Sequence, residues 1–402
     1  MISPAEAREH VLSRCRGPEP VEVASSDARG LVLARPVVSP EHVPPFANTA
    51  MDGFAVRAAD TVGPPVVLDV VGTVAAGVDP VAAGIEVASG TAVRIMTGAP
   101  MPPGADAVVM VERTEVAADG ATVSVDVEVP VGNHVRSSGE DLMIGDRVFD
   151  VGTVLGPGHL GVLASIGIPT VMAHRRLSVG VLSTGDELRE GPGALAPGQI
   201  RDANRPSLLG LLDELGVEAV DLGRVADDEA AIEAALLDGA ARCDAVLTSG
   251  GVSMGDFDYV KVVLDRIGDM RWMQVAIKPA KPLAFGRIGG VPVFGLPGNP
   301  VSSMVSFELF ARPALRAMSG HTELDRISVR ATAVGGLPRH RDGKVHFARV
   351  AVEVLNGRFR VRSAGGQGSP QLTAMAGAGG LAVVPDGDGV VDGDEVDVLL
   401  LG

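Results

Sequence analysis

Cysteine is nearly absent: Cys15 and Cys243 are the only two in 402 residues. Two so far apart build no disulfide framework and have no metal-ligand spacing, which agrees with a reducing compartment. No apolar run approaches the roughly 18 residues of a membrane span, and the N-terminus lacks a basic segment followed by an apolar one. A cytoplasmic protein with no membrane partner is therefore expected. The eight histidines show no zinc spacing, and the order of residues supports no Ser/His/Asp nucleophile. An excess of basic residues is missing as well. With a formal net charge of −16, nucleic acid is disfavoured as a partner, because a phosphate backbone needs a basic face. Any anionic ligand must be held by local lysines, arginines and backbone amides.

What the chain does have is a globular composition, 46% hydrophobic, and a length that suggests about two to four domains. Ser3 to Glu6 reads as a capping box with Pro4 at the first helical position, opening a helix that ends near Gly17. Residues 46–140 show little helical periodicity but strand patterns at 66–74, 92–96, 107–111 and 122–129. They form a β domain inserted between residues 1–45 and 141–177, which pair as one mixed domain with a helix near 159–166. From Leu177 strands and helices alternate, which predicts parallel strands covered on both faces. Strands are expected at 179–182, 217–222, 245–247, 273–277, 283–285 and 291–294, with a helix capped by Asn204 and a long one ending near Met318. Residues 178–320 thus form an α/β domain, and residues 321–402 a small all-β module with glycine-rich turns.

The stretch Leu247-Thr248-Ser249-Gly250-Gly251-Val252-Ser253-Met254-Gly255-Asp256-Phe257-Asp258 leaves a buried strand and runs into a helix. An α/β protein holds phosphate at such a place. Gly250 and Gly251 carry no Cβ to obstruct a ligand, Thr248, Ser249 and Ser253 offer hydroxyls, and a helix start supplies unpaired N–H groups. Asp256 and Asp258 follow at once, so a phosphorylated ligand with a divalent metal fits better than a bare anion. A packing turn would explain the glycines alone. Ser183-Thr184-Gly185-Asp186-Glu187 leaves another parallel strand at the edge where such sheets bind ligands. Asp186 or Glu187 could hold Mg²⁺, or could merely cap the next turn. Pro297-Gly298-Asn299-Pro300 joins a strand to a helix with its backbone fixed by two prolines, as a pocket wall or a stiff helix start. Lys278 and Lys281 sit three apart on a proline-stiffened segment, compact point charges suited to an oxyanion.

Taken together these segments resemble the MoeA family of molybdopterin molybdenumtransferases, which includes the C-terminal domain of gephyrin. The resemblance rests on Pro45-Phe46 through Asp52-Gly53, Thr97-Gly98-Ala99 with Gly104-Ala105-Asp106, and Val135-Arg136 with Gly139-Glu140-Asp141. It continues through 183–188, 248–255 with Asp258-Tyr259, 278–282, and 295–302. It implies an L-shaped, four-domain subunit: a central three-layer molybdopterin-binding α/β domain, an inserted β domain, a mixed N-terminal domain and a C-terminal small β-barrel-like module. It further implies a homodimer whose active site joins the α/β domain of one subunit to the inserted domain of the other. Carried over position by position, the implied site residues are Asp52, Thr97, Asp141, Glu187, Asp227, Asp258, Lys278, Lys281, Pro297 and Pro300. Arg349 and Ser369 are similar to positions lining the family's molybdate pocket. This chain departs from the pattern at Ala280, where many members have glycine, at Ala203 in an Asp-Ser-Asn-like segment, and at 365–369. The implied reaction takes adenylylated molybdopterin and molybdate, cleaves the phosphoanhydride with Mg²⁺, releases AMP and leaves molybdenum on the dithiolene. A molybdopterin adenylyltransferase of the same pathway and a gephyrin-like scaffold are the rival readings; an adenylyltransferase and molybdoenzyme apoproteins are the implied transient partners.

Overall fold

The structure is a computed structural model that describes residues 1–251 and 259–402. The expected phosphate-loop positions Ser253, Asp256 and Asp258 lie outside the described residues.

The capping box forms as its residues dictate. Ser3 Oγ accepts from the Glu6 amide at 3.2 Å while the Ser3 amide donates to Glu6 Oε2 at 2.8 Å. The helix Pro4–Leu12 then stops at Ser13, short of the glycine that was expected to end it. Its buried Ala7 and Val11, four residues apart and so on one face, belong to the same core as Leu315 and Met318 of the α/β layer. The sequence grouped this helix with residues 141–177 instead, because periodicity shows that a helix is amphipathic and not what it covers. The strands Val21–Ala24 and Val32–Leu33 do pair with Thr170–His174 from beyond the β segment. One core draws on both sides, from Ala28, Leu31 and Leu33 to Leu155, Leu163 and Ile166.

Between Val43 and Leu142, which bridge each other, the chain makes a six-stranded sheet in the order Ala107–Met110, Gly53–Val56, Thr91–Ile95, Val66–Val74, Thr122–Val125, Thr114–Val116. Its two apolar cores draw only on residues 54–135.

The α/β layer is a six-stranded sheet in the order Glu218–Val225, Ser178–Thr184, Ala245–Ser249, Val291–Leu296, Pro282–Ile288, Asp269–Gln274. Four strands pair in parallel, but Pro282–Ile288 runs antiparallel to both of its neighbours, which corrects the expectation of an all-parallel layer. Only Gly289-Gly290 separates Pro282–Ile288 from Val291–Leu296, and both glycines have positive φ, 57° and 97°. A two-residue turn can join only antiparallel strands, whereas a parallel connection needs a crossover of a dozen residues or more. The long helix runs Pro300–Ser306, a π turn Phe307–Ala311, and Arg312–Met318.

The C-terminal strands close on themselves. Val345–Leu355 pairs with Arg358–Ser363, then Ser328–Ala333, Glu395–Leu400 and Gly380–Val384 follow, and the last pairs back with Val345–Leu355. The result is a five-stranded barrel with Val350, Val361, Ala382 and Val398 in its core. One short helix, Leu372–Ala376, interrupts the all-β pattern expected there.

Candidate active site

In the α/β sheet the chain moves from Ser178–Thr184 to Glu218–Val225 on one side, then crosses to Ala245–Ser249 on the other. Loops that leave two neighbouring carboxyl ends in opposite directions open a crevice between them, where open α/β sheets bind their ligands. The Ser183–Glu187 and Ser249–Gly251 loops meet at this switch point, and the loop after Val291–Leu296 lies next to it. Gly250 and Gly251 have φ of 97° and 69°, a left-handed backbone that favours glycine. A Cβ on Gly251 would lie 2.3 Å from Val260 Cβ, and one on Gly250 would be 3.1 Å from the Thr184 carbonyl oxygen. A Cβ on Gly298 would be 3.8 Å from Gly250 Cα. The three loops are therefore in near contact through their backbones. Thr184 and Ser249 are almost fully buried, Ser183 and Thr248 wholly so, and the Ser183 and Thr248 hydroxyls have no hydrogen-bond partner among the described residues.

Asn204 ties two of these loops together. The sequence reads it as a helix cap, but the helix Asn204–Leu215 has Ala203 at its cap position with no side-chain bond. Asp202 does the capping, accepting from the Asn204 and Arg205 amides at 3.1 and 3.2 Å. The Asn204 side chain is free to reach sideways, and its Nδ2 donates to Ser249 Oγ at 2.6 Å and to the Gly298 carbonyl at 2.7 Å. An Asp-x-Asn run at a helix start signals a cap, but which Asx residue caps depends on backbone angles that the sequence does not show.

The acids collect at one end of the crevice. The Asp186 amide donates to Asp227 Oδ2, and the Asp227 amide donates to Asp186 Oδ1, each at 3.2 Å. Glu187 is exposed and folds back over Gly185, where an added Cβ would come within 2.5 Å of Glu187 Oε2. Among the described residues no ion pair neutralises Asp186, Glu187 or Asp227. Uncompensated carboxylates are hard oxygen donors of the kind Mg²⁺ takes, so the donor set fits in kind. No three acidic, histidine or cysteine side chains among the described residues form a metal-binding group, so waters or substrate oxygens would have to complete the shell. Asp256 and Asp258 lie outside the described residues.

Lys278 and Lys281 are both exposed. The short strand Ile277–Lys278 leaves the α/β layer and pairs in parallel with the barrel, Lys278 opposite His346. Lys278 therefore lines a cavity of about 830 Å³ between the two modules, together with Asp342, His346, Arg349 and Gln367. Burial pushes the Asp342 carboxyl up, but bonds from His346 and Lys344 outweigh it and hold its pKa down at about 2. Arg349 is 1% exposed, its Nη2 donating to the Gly366 and Gly368 carbonyls at 2.9 and 3.0 Å and its Nε without a partner among the described residues. Burial without a carboxylate partner lowers its pKa. The Ser369 carbonyl accepts from the Val301 amide at 3.3 Å, joining the barrel to the helix that follows Pro297-Gly298-Asn299-Pro300. Ala280, between the lysines, has φ +74°.

The remaining expected residues lie elsewhere in the chain. Asp52 Oδ1 accepts from the Thr97 amide at 2.6 Å and its hydroxyl at 2.7 Å, which hold the carboxyl below the usual carboxylate range. Asp141 is exposed in the turn where its amide bonds the Val43 carbonyl at 2.9 Å. No hydrogen bond or ion pair among the described residues links Asp52, Thr97 or the Asp141 side chain to the α/β loops of the same chain.

This is an α/β protein with a glycine loop at the switch point of its sheet, an inserted β segment and a closing barrel. Family profiles match along it in order: "MoeA N-terminal region (domain I and II)" at residues 2–167, "Probable molybdopterin binding domain" at 180–317, and "MoeA C-terminal region (domain IV)" at 336–401. It is 38% identical to "Molybdopterin molybdenumtransferase" of Haemophilus influenzae over 377 residues, 93% of this chain and 92% of that one. It is also 38% identical to "Molybdopterin molybdenumtransferase 2" of Mycobacterium tuberculosis over 402 residues, 96% of both. A crystal structure of "molybdopterin biosynthesis moeA protein" from Pyrococcus horikoshii matches with a TM-score of 0.82 and 30% identity over 100% of both chains. The chain belongs to the MoeA family.

Proposed function

We propose that the protein is a molybdopterin molybdenumtransferase, an enzyme of molybdenum cofactor biosynthesis that inserts molybdenum from molybdate into an adenylylated molybdopterin and releases AMP. The observation that carries this reading is the meeting of the glycine loop, the Ser183–Glu187 loop and the proline loop, with a pair of uncompensated carboxylates, at the switch point, in a chain whose relatives along its whole length bear that name. Its rivals are not favoured. An adenylyltransferase needs neither the inserted sheet nor the barrel, and a gephyrin-like scaffold is named by none of these relatives.

In this reading the Gly251 amide and the Ser249 hydroxyl hold the phosphate, and Pro297 and Pro300 fix the facing wall. Lys278 and Arg349, which line the cavity beside the barrel, supply positive charge for molybdate there, and Lys281 adds to it from the same proline-stiffened segment. Asp186, Glu187 and Asp227, with Asp256 and Asp258, would hold Mg²⁺, whose contribution is to offset charge on the phosphoanhydride oxygens. Catalysis is then mainly positioning and electrostatics, and no protein nucleophile is required. Asp52, Thr97 and Asp141 complete the pocket from a second subunit of a homodimer. Cytoplasmic residence, receipt of substrate from an adenylyltransferase and delivery to molybdoenzyme apoproteins belong to the same proposal.

The test supplies purified protein with adenylylated molybdopterin, Mg²⁺ and molybdate. Molybdate-dependent AMP release is expected, and absence of AMP from an active substrate preparation contradicts the reading.

A further inference from the structure

We infer that Asn204 is a positioning residue that sets the spacing between the phosphate loop and the proline loop, and thereby the affinity for the nucleotide part of the substrate. The inference rests on the proposed molybdenumtransferase reading and deepens it.

Its ground is a set of bonds that helix formation alone does not need. Asn204 is the first residue of its helix, where a side chain ordinarily points to water or caps. Here one amide nitrogen spends both protons on groups from two other strand ends, Ser249 Oγ and the Gly298 carbonyl. Those atoms lie 94 residues from Asn204 at the farther end and 45 at the nearer. The two loops have no mutual side-chain bond of their own among the described residues, since glycine faces glycine there, Gly298 against Gly250. Their backbones are joined where the proline loop begins, the Gly250 amide donating to the Leu296 carbonyl at 3.2 Å, and Asn204 is the side-chain strut that ties them beyond that bond, at Gly298.

The strut is itself held. Asp202, with a side chain 3% exposed, accepts from the Asn204 amide, so the start of the helix cannot drift. Arg205 next door bonds Asp202, both oxygens of Asp221 and Glu190. Asp221 belongs to the edge strand Glu218–Val225, and Glu190 follows the loop that carries Asp186 and Glu187. Asn204 therefore sits where the anchors of the acid loop, the phosphate loop and the proline loop come together. The side chain's second polar atom, Oδ1, is buried without a partner among the described residues. A buried acceptor left unsatisfied costs stability, which a residue kept only for folding would be expected to avoid.

The consequence concerns binding rather than charge. A donor that fixes Ser249 Oγ leaves its hydroxyl hydrogen aimed away from Asn204, so the hydroxyl presents a donor to whatever occupies the crevice. Loss of the strut loosens the Ser249 side chain and the Gly298 end of the proline loop, and ordering them must then be drawn from the ligand's own binding. Molybdate, bound on the lysine side beside the barrel, should not register the change.

The experiment measures AMP binding to the whole protein by calorimetry, and the KM for adenylylated molybdopterin and for molybdate, in wild type, Asn204→Ala and the isosteric Asn204→Asp. Aspartate can still accept from Ser249 but faces the Gly298 carbonyl without a donor. Both variants should weaken AMP and raise the pterin KM about tenfold with the molybdate KM unchanged, and Asn204→Asp, which sets an acceptor against the Gly298 carbonyl, should also lower the thermal midpoint. Ser249→Ala combined with Asn204→Ala should cost less than the two single losses multiplied together, because the two residues share one bond. Unchanged AMP affinity in either folded variant overturns the inference. So does a fall in thermal midpoint with equal losses for both substrates, which would mark Asn204 as a general structural residue. Failure of the wild type itself to bind AMP or release it would instead sink the functional reading on which the inference stands.

Discussion

Ala280 and Asp52 show how far a single residue's conformation or partner can alter its meaning. By size, alanine for glycine between the lysines is a minor change. At φ +74° it is not, because a left-handed backbone strains an L-residue by about 1–2 kcal/mol. Ala280→Gly relieves this strain while giving the unfolded chain about 0.5–1 kcal/mol of extra freedom. The net expectation is a gain of up to about 1 kcal/mol in urea unfolding, and a clear loss would contradict the left-handed conformation. At Asp52 the two bonds from Thr97 depress the folded-state pKa. A depressed carboxylate contributes stability that is present above its unfolded pKa and is lost as pH falls through the folded one. Thr97→Val removes the hydroxyl and keeps the amide, so the Asp52 titration, followed by carboxyl-carbon NMR, should move up toward the ordinary value. A titration that stays where it was would mean that the hydroxyl bond is not made in solution.

Among the elements, the helix after the proline loop is the one whose pattern runs deepest. Its π turn, Phe307–Ala311, buries Phe307, Glu308, Phe310 and Ala311 together. A regular helix turns only one face inward, and the wider turn redistributes the side chains. Glu308, 5% exposed, receives Arg326 on both oxygens at 2.9 Å and has Arg312 at 3.7 Å. Removing one partner of such a buried set strands the rest, at a cost of about 3–5 kcal/mol. Glu308→Ala should therefore lower the urea unfolding free energy by that order, and a change below about 1 kcal/mol would show that the arginines find water instead.

At the scale of the whole molecule, the inserted sheet and the α/β loops each carry part of the proposed site. Asp52 and Thr97 bond to each other and, among the described residues, to nothing in the α/β layer. A two-fold dimer in which each patch meets the other subunit would unite them. If Asp52→Ala and Asp227→Ala homodimers are each inactive, subunit exchange should restore activity toward about a quarter of wild type. Half of randomly paired dimers are mixed, and each of those has one intact pocket of two. Mixed samples that stay inactive after verified exchange would exclude the shared pocket.

The sequence by itself determined most of the elements and where the candidate loops fall. The Ser3 capping box, the strand-helix alternation after Leu177, the glycine loop and the acidic and lysine pairs are local signals, written in residues close together along the chain. It also held one signal not taken up, Gly289-Gly290, whose two-residue length requires the antiparallel turn that was found. What only the tertiary structure decided is which surfaces meet. The first helix covers the α/β core rather than its sequence neighbours, and Lys278 is stitched to the barrel opposite His346. Asp202 takes the cap and leaves Asn204 to brace Ser249 and Gly298. The physical reason is one of range. Propensity, capping and turn geometry act over a few residues, whereas burial and side-chain bonding between distant segments depend on how the layers pack, which no short stretch of sequence encodes.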